Sequence, residues 1–480
     1  MKIPTILLGK TEPTWEDDCA CAGDFDLPLT LPTICGPFRL ASNISFYQID
    51  SNYKLAINSQ FGGGMAAVSD VGHAVLDSFR LPREILANDD SDAIKSMIRL
   101  GLLIPVDSQP TIDRHISDTV IAAWLHVTDR CNLRCSYCYL PHVREDMSFE
   151  TGRAAIDATF RSALANDFKQ VKLKYAGGEP LLRFSMIEEL QLYAQSQAKK
   201  YGLGFEGVVL SNGTLLTAEM AQILKSLGSR LMISMDGYGA YHDKHRPYAG
   251  GRGSFKDVAE AVDLALAHGL VPNISVTISS RTSDGLADVM AWLLERELPF
   301  SLNFYRENEL SASHEDMRLD EQKIIDGMLA AFKVIENNLP RRPFLSGIID
   351  RANLSVSHTH TCGVGQNYLV FDQNGQVAKC QMHIRKPVTD LHVLDPLAVI
   401  RADKTGIQNL SVEEKEGCKT CEWKYWCAGG CALATYRATG RYDVKSPNCN
   451  IYKALYPEAL RLEGLRLLKY QDDPEVVIAL

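Results

Sequence analysis

No apolar run in the sequence approaches the roughly eighteen residues that a membrane-spanning helix needs. The first residues also lack the basic-then-apolar layout of a signal peptide. No membrane partner is expected, and the cytoplasm is the expected location. Positive charge is not in excess either: 50 Lys and Arg stand against 59 Asp and Glu, a net charge of −9. Nucleic acid is therefore not expected as a partner. What these absences leave is a globular chain of 480 residues, 46% hydrophobic and 23% charged. That length exceeds one ordinary core, so two or three domains are expected.

Cysteine is plentiful, with thirteen in the chain. Without an export signal the thiols are expected to stay reduced, and thiolates at short spacings are metal ligands. Ten of the thirteen are grouped, three at 131–138 and seven between 362 and 449. Structural cysteines would be scattered. Cys19, Cys21 and Cys35 have no evident fourth partner and remain unassigned.

The chain divides by pattern into 1–115, 116–340, 341–455 and 456–480. The second stretch alternates β-branched runs with helical ones. Strands are expected at 121–127, 171–175, 205–210, 230–235, 271–278 and 298–304, with helices after Ser148, Thr217 and Ser254, near Asp284 and over 319–337. Ser148 and Ser254 read as caps. Strand–helix repeats of this size mean parallel strands with right-handed crossovers, hence an α/β fold built on a partial (β/α)6 TIM-like barrel. In such sheets function gathers at the carboxyl ends of the strands. The third stretch is Cys-, Gly- and His-rich with few periodic segments. A terminal helix around 451–470 reads as amphipathic and suited to packing on the barrel.

Directly after the first strand lies Cys131-x3-Cys135-x2-Cys138. Three thiolates can hold three irons of a [4Fe–4S] cube and leave the fourth open to a small molecule. A zinc site is the other reading, with His126 or His142 nearby, although zinc prefers a closed set of four ligands. The triplet, with Tyr137 before its last cysteine, resembles the signature of radical S-adenosylmethionine enzymes. The resemblance continues with Gly177-Gly178-Glu179-Pro180 after the second strand, Ser211-Asn212-Gly213 after the third, Ser234-Met235-Asp236-Gly237 after the fourth, and His242-Asp243-x-x-Arg246.

The resemblance implies that Cys131, Cys135 and Cys138 hold a [4Fe–4S] cluster. It places S-adenosylmethionine against Tyr137, Gly177, Gly178, Glu179, Ser211, Asn212, Ser234, Asp236 and Arg246. An external one-electron reductant is then required, and the products are methionine and a 5′-deoxyadenosyl radical that abstracts hydrogen from a substrate.

The later cysteines, Cys362, Cys380, Cys418, Cys421, Cys427, Cys431 and Cys449, have a spacing similar to the SPASM domain, which carries two auxiliary iron–sulfur clusters. That likeness assigns Cys418, Cys421, Cys427 and Cys449 to one cluster and Cys362, Cys380 and Cys431 to the other. His358, His360 or His383 could close the second. A zinc ribbon on Cys418-x2-Cys421 is the alternative, and it leaves several cysteines unexplained. Sulfatase-maturing relatives carry an additional cysteine and an aspartate where this chain has Tyr368 and Gln381. Glutamine cannot accept a proton as a carboxylate does, so formylglycine formation becomes the weaker reading.

Residues 37–107 read as short strands (38–41, 43–50, 53–58), a glycine turn at 62–64, helices near 70–80, 82–88 and 91–101, and a strand at 102–106. This order resembles a small α+β winged-helix-like module that binds leader peptides by strand addition; a capping domain is the plain alternative. The function expected is modification of a peptide or protein substrate, by crosslink or oxidation. A non-catalytic iron–sulfur electron carrier is the rival from another class.

Overall fold

The computed structural model describes residues 6–9, 36–42, 44–58, 65–86, 91–107 and 119–479; Cys19, Cys21, Cys35 and the turn expected at 62–64 lie outside them. Strands β1 (Val120–Thr128), β2 (Gln170–Gly177), β3 (Gly204–Ser211), β4 (Arg230–Ser234), β5 (Asn273–Ile278) and β6 (Phe300–Phe304) pair in parallel, in chain order. Between them run α1 (Phe149–Ala165), α2 (Phe184–Tyr201), α3 (Ala218–Ser226), α4 (Phe255–Ala267) and α5 (Leu286–Glu295), and α6 (Glu321–Asn337) follows β6. This is the expected partial barrel. Alternation along each strand divides two cores. Val171, Leu173 and Tyr175 pack outward with the helices, and Trp124, Ala176, Val208 and Met232 point inward.

Ser148 caps α1 as expected, accepting from Thr151 N at 3.0 Å. Ser254 does not cap α4. Its hydroxyl lies 2.5 Å from the Arg246 carbonyl and 3.0 Å from His242 Nε2, while Asp243 Oδ1 accepts from Phe255 N at 2.8 Å. A buried serine is drawn into the site network, and a carboxylate from a neighbouring turn takes over the cap.

The Cys-rich stretch is joined to the barrel by a strand the sequence did not suggest. β7 (Tyr368–Phe371) lies parallel beside β1, and Gln376–Ala378 and Thr389–Asp390 extend the sheet to nine strands. Helix α7 (Cys449–Lys469) carries Cys449 on its first turn. It is buried around its circumference rather than along one stripe, because it packs on α6 and also under the amino-terminal sheet. Gly464 makes that second contact possible: a Cβ there would lie 2.5 Å from Ile49 Cδ1.

In the amino-terminal sheet, Ile44–Gln48, Tyr53–Asn58 and Met65–Ser69 run antiparallel, and Ile6–Gly9 and Val477–Ala479 extend it. Phe38–Leu40 pairs with Leu103–Pro105. The helix expected at 82–88 is absent over 82–86, and 87–88 lie outside the described residues. Arg83 exchanges backbone hydrogen bonds with Phe38 at 2.9 and 3.0 Å, which holds the segment extended. Among the described residues no helix is long and apolar enough to cross a membrane.

Candidate active site at the strand ends

The loop bearing Cys131, Cys135 and Cys138 leaves β1 and is pinned to the end of β2. Gly178 N donates to Thr128 O at 2.7 Å, and Glu179 N donates to Arg130 O at 2.8 Å. A Cβ on Gly177 (φ +151°) would lie 2.2 Å from Thr128 O, and one on Gly178 would lie 2.2 Å from Arg130 O. The two glycines are thus required where the chain approaches its own cysteine loop.

Glu179 is fully buried. Its carboxylate accepts from Leu181 N at 2.9 Å, Ser211 Oγ at 2.7 Å and Asn212 N at 2.8 Å. Burial pushes its pKa up, and the three donors oppose that shift. Asn212 Nδ2 in turn donates to Asn132 Oδ1 at 2.9 Å and lies 3.8 Å from Cys131 Sγ. One carboxylate therefore joins the second, third and cysteine-bearing loops.

A second buried network stands behind the triplet. Tyr137 donates to Asp236 Oδ2 at 2.5 Å, Arg246 donates to the Tyr137 hydroxyl and lies 3.4 Å from Asp236, and Thr277 N donates to Asp236 Oδ1 at 2.9 Å. Burial alone would raise Asp236, but the Arg246 guanidinium and His245 hold it well below the usual carboxylate range. His242 is pushed down to about 4 by burial and by Arg246. The geometry requires its neutral form. Nδ1 accepts from Asp236 N at 3.3 Å, leaving Nε2–H to donate to Ser254 Oγ.

These groups surround a cavity of about 240 Å³ at the carboxyl ends of the strands. Cys131, Cys135, Tyr137, Cys138, Gly177, Gly178, Ser211, Asn212, Ser234 and Arg246 line it; Glu179 and Asp236 support the wall from behind. Among the described residues, the buried donors Trp124 Nε1 and Arg246 Nε of the lining meet no hydrogen-bond partner. Three sulfurs, polar strand ends and spare donors in one cavity fit a thiolate-held cluster and a polar ligand beside it. Burial pushes the thiols of Cys131 and Cys135 up to about 11 and 12, so bound metal would have to keep them ionised. His142 also lines the cavity and is lowered by burial. His126 does not: its Nε2 lies 2.6 Å from Asp129.

Apart from Gln381, the far wall went unread in the sequence. Ser275, Thr277 and Asn303 follow from strand alternation, whereas Arg306, Arg351 and Gln381 reach it only through the fold. Gln381 is buried there, 3.4 Å from the Tyr368 hydroxyl.

The later cysteines influence one another and shared basic neighbours. Cys427, Cys449 and Cys421 are near enough to perturb Cys418. Cys431 and Cys380 both act on Arg437, and Cys418, Cys427, Cys362 and Cys431 all act on Lys415. Burial would raise Cys431, but the adjacent Arg306 guanidinium brings it below the ordinary thiol value. His358 Nδ1 lies 3.0 Å from Val356 O, and burial lowers His383 to about 4. Among the described residues, no three His, Cys, Asp or Glu converge as ligands of a single metal ion would.

Comparison with known proteins gives a consistent picture. Residues 125–292 match the radical SAM superfamily. An uncharacterized protein of Methanocaldococcus jannaschii is 28% identical over 222 residues, 46% of this chain and 74% of its own length. The serine-type anaerobic sulfatase-maturating enzyme of Klebsiella aerogenes is 24% identical over 362 residues, 70% of this chain and 86% of its own. A solved structure of native anSMEcpe with bound AdoMet and Cp18Cys peptide has a TM-score of 0.60 at 20% identity, over 72% of this chain and 99% of that one. At that identity the likeness is one of fold.

Proposed function

Because the chain carries a radical SAM domain, we propose that it is a peptide maturase, which cleaves S-adenosylmethionine reductively and abstracts hydrogen from a peptide or protein to install a crosslink or an oxidation. The observation that carries this reading is the shared cavity, which runs without a break from the cysteine triplet to Gln381 and Arg351. When bound, the cluster and S-adenosylmethionine supply a 5′-deoxyadenosyl radical from one electron of an external reductant. The chain's own residues position the reactants. Cys131, Cys135 and Cys138 hold the cluster, Gly177 and Gly178 keep that loop against β2, and the Tyr137–Asp236–Arg246 network fixes the wall behind it. Leu210, Met232 and Trp124 make the inner wall apolar, which favours exclusion of water.

The seven later cysteines are read as ligands of two auxiliary clusters, Cys418, Cys421, Cys427 and Cys449 for one, and Cys362, Cys380 and Cys431 for the other. The amino-terminal sheet is the place for a leader peptide.

Formylglycine formation is the second reading, and the Klebsiella aerogenes relative favours it. Against it, the position next to Cys380 carries Gln381, and among the described residues no Asp or Glu lines the cavity. The test is anaerobic incubation of the reconstituted protein with S-adenosylmethionine, dithionite and candidate peptides. 5′-Deoxyadenosine together with a peptide mass loss of two hydrogens and no aldehyde supports a crosslink or oxidation. Conversion of a cysteine or serine to an aldehyde would replace that reading with the second. Absence of 5′-deoxyadenosine would refute both.

A further inference from the structure

A buried ammonium is costly unless a counter-charge and hydrogen-bond acceptors meet it. Lys379 obeys that rule: it is 5% exposed, forms an ion pair with Asp403 at 2.6 Å and donates to the carbonyls of Asp403 and Thr405. Lys415 does not. It is 1% exposed, and its Nζ donates to the Ala428 carbonyl at 2.7 Å. An ammonium has three donors. Burial is the largest influence on its charge and lowers its pKa, and the sulfurs of Cys418, Cys427, Cys362 and Cys431 oppose that shift.

Lys415 Nζ and the Thr361 hydroxyl both meet the Ala428 carbonyl, on the turn between Cys427 and Cys431. Ala428, Gly429 and Gly430 follow Cys427 and precede Cys431, with φ of 44°, 77° and 71°. Left-handed backbone at three successive residues, one of them not glycine, makes a tight turn that is uncommon without a reason. The Lys415 stem packs beneath it: a Cβ on Gly429 would lie 2.5 Å from Lys415 Cδ. The Thr361 hydroxyl, one residue before Cys362, lies 3.1 Å from Ala428 O and 2.8 Å from Gly430 O. Cys418 N donates to Lys415 O at 3.1 Å.

We propose that Lys415 is a shared counter-cation for two clusters, lying between Cys418 and Cys427 of one and Cys362 and Cys431 of the other. The inference rests on the reading that the seven later cysteines hold two auxiliary clusters. Net charge around a cluster sets its reduction potential. A fixed positive charge favours the reduced, more negative state, so Lys415 raises both auxiliary potentials together. It acts through the clusters and is a positioning residue.

The test uses the full chain, reconstituted anaerobically, with iron counted before any titration. Wild-type protein lacking iron beyond the triplet cluster would remove the two-cluster reading, and this inference with it. Given that iron, redox titrations followed by electron paramagnetic resonance are compared for wild type, Lys415→Met and Lys415→Arg. Both auxiliary signals should move to more negative potential in Lys415→Met, return in Lys415→Arg, and leave the triplet cluster's signal in place. A shift of one auxiliary signal, or of neither, overturns the inference. Should Lys415→Met lose iron, loss of both auxiliary clusters with retention in Lys415→Arg supports it. Loss of one cluster, or equal loss in both variants, overturns it.

Discussion

The Glu179 carboxylate and the Ser211 hydroxyl meet at 2.7 Å inside the protein, at the ends of neighbouring strands. With Leu181 N and Asn212 N on the same group, Glu179 is the acceptor on which two loops close. Glu179→Leu would leave three buried donors unsatisfied. A loss of roughly 2–4 kcal/mol is expected, since each such group costs about 1–3 kcal/mol and relaxation recovers part of it. Denaturant unfolding measures this. Glu179→Gln, which keeps an acceptor oxygen, should lose less.

Gly178→Ala places a methyl where Arg130 O stands. The cysteine loop must then move, and misplacement of reacting groups by an ångström costs roughly a hundredfold in rate. 5′-Deoxyadenosine formation should fall on that order while the iron content of the later cysteines stays as in wild type. Unchanged turnover would show that the loop tolerates the shift.

His242 gives stability a dependence on pH. Its pKa falls from 6.5 in the unfolded chain to about 4 in the folded protein. Between those values the unfolded state binds more protons, so stability rises with pH across that window and is lost as pH drops from 6.5 through 4. The contribution is of order 3 kcal/mol. A proton on Nδ1 would face the Asp236 N–H, donor against donor. In His242→Gln the unfolding free energy should depend less on pH over this range.

Replacing Cys131, Cys135 and Cys138 together by alanine should abolish 5′-deoxyadenosine. Iron bound at the later cysteines should persist, since those residues stand on other elements. Iron analysis with mass spectrometry of the nucleoside product reads both. An iron-free variant would refute the auxiliary clusters.

The six parallel strands were legible as short β-branched runs between helical stretches, because a strand buried on both faces reads as a continuous apolar run. The loops after them were legible because the short-range motifs there carry chemistry within a few residues. The site's far wall was not. Arg306 and Arg351 are distant in sequence, and no local pattern says that they share a cavity with Cys131. Strand β7 was missed for a related reason: its four residues, Tyr368–Phe371, are too short to show a period. The Ser254 cap failed because a side chain from another turn, Asp243, competed successfully for the same N–H.

By itself the sequence determined the candidate ligands: ten cysteines in two stretches, a Gly-Gly-Glu segment after a strand, and a glutamine beside Cys380. Covalent spacing is a local property and survives without a fold. The tertiary structure alone decided which groups meet. It gave Glu179 and the two glycines to the protein's own loops, and it buried Lys415 beneath the turn between Cys427 and Cys431. Burial and contact are properties of the packed chain, and they convert a charged side chain from a surface feature into a part of the site.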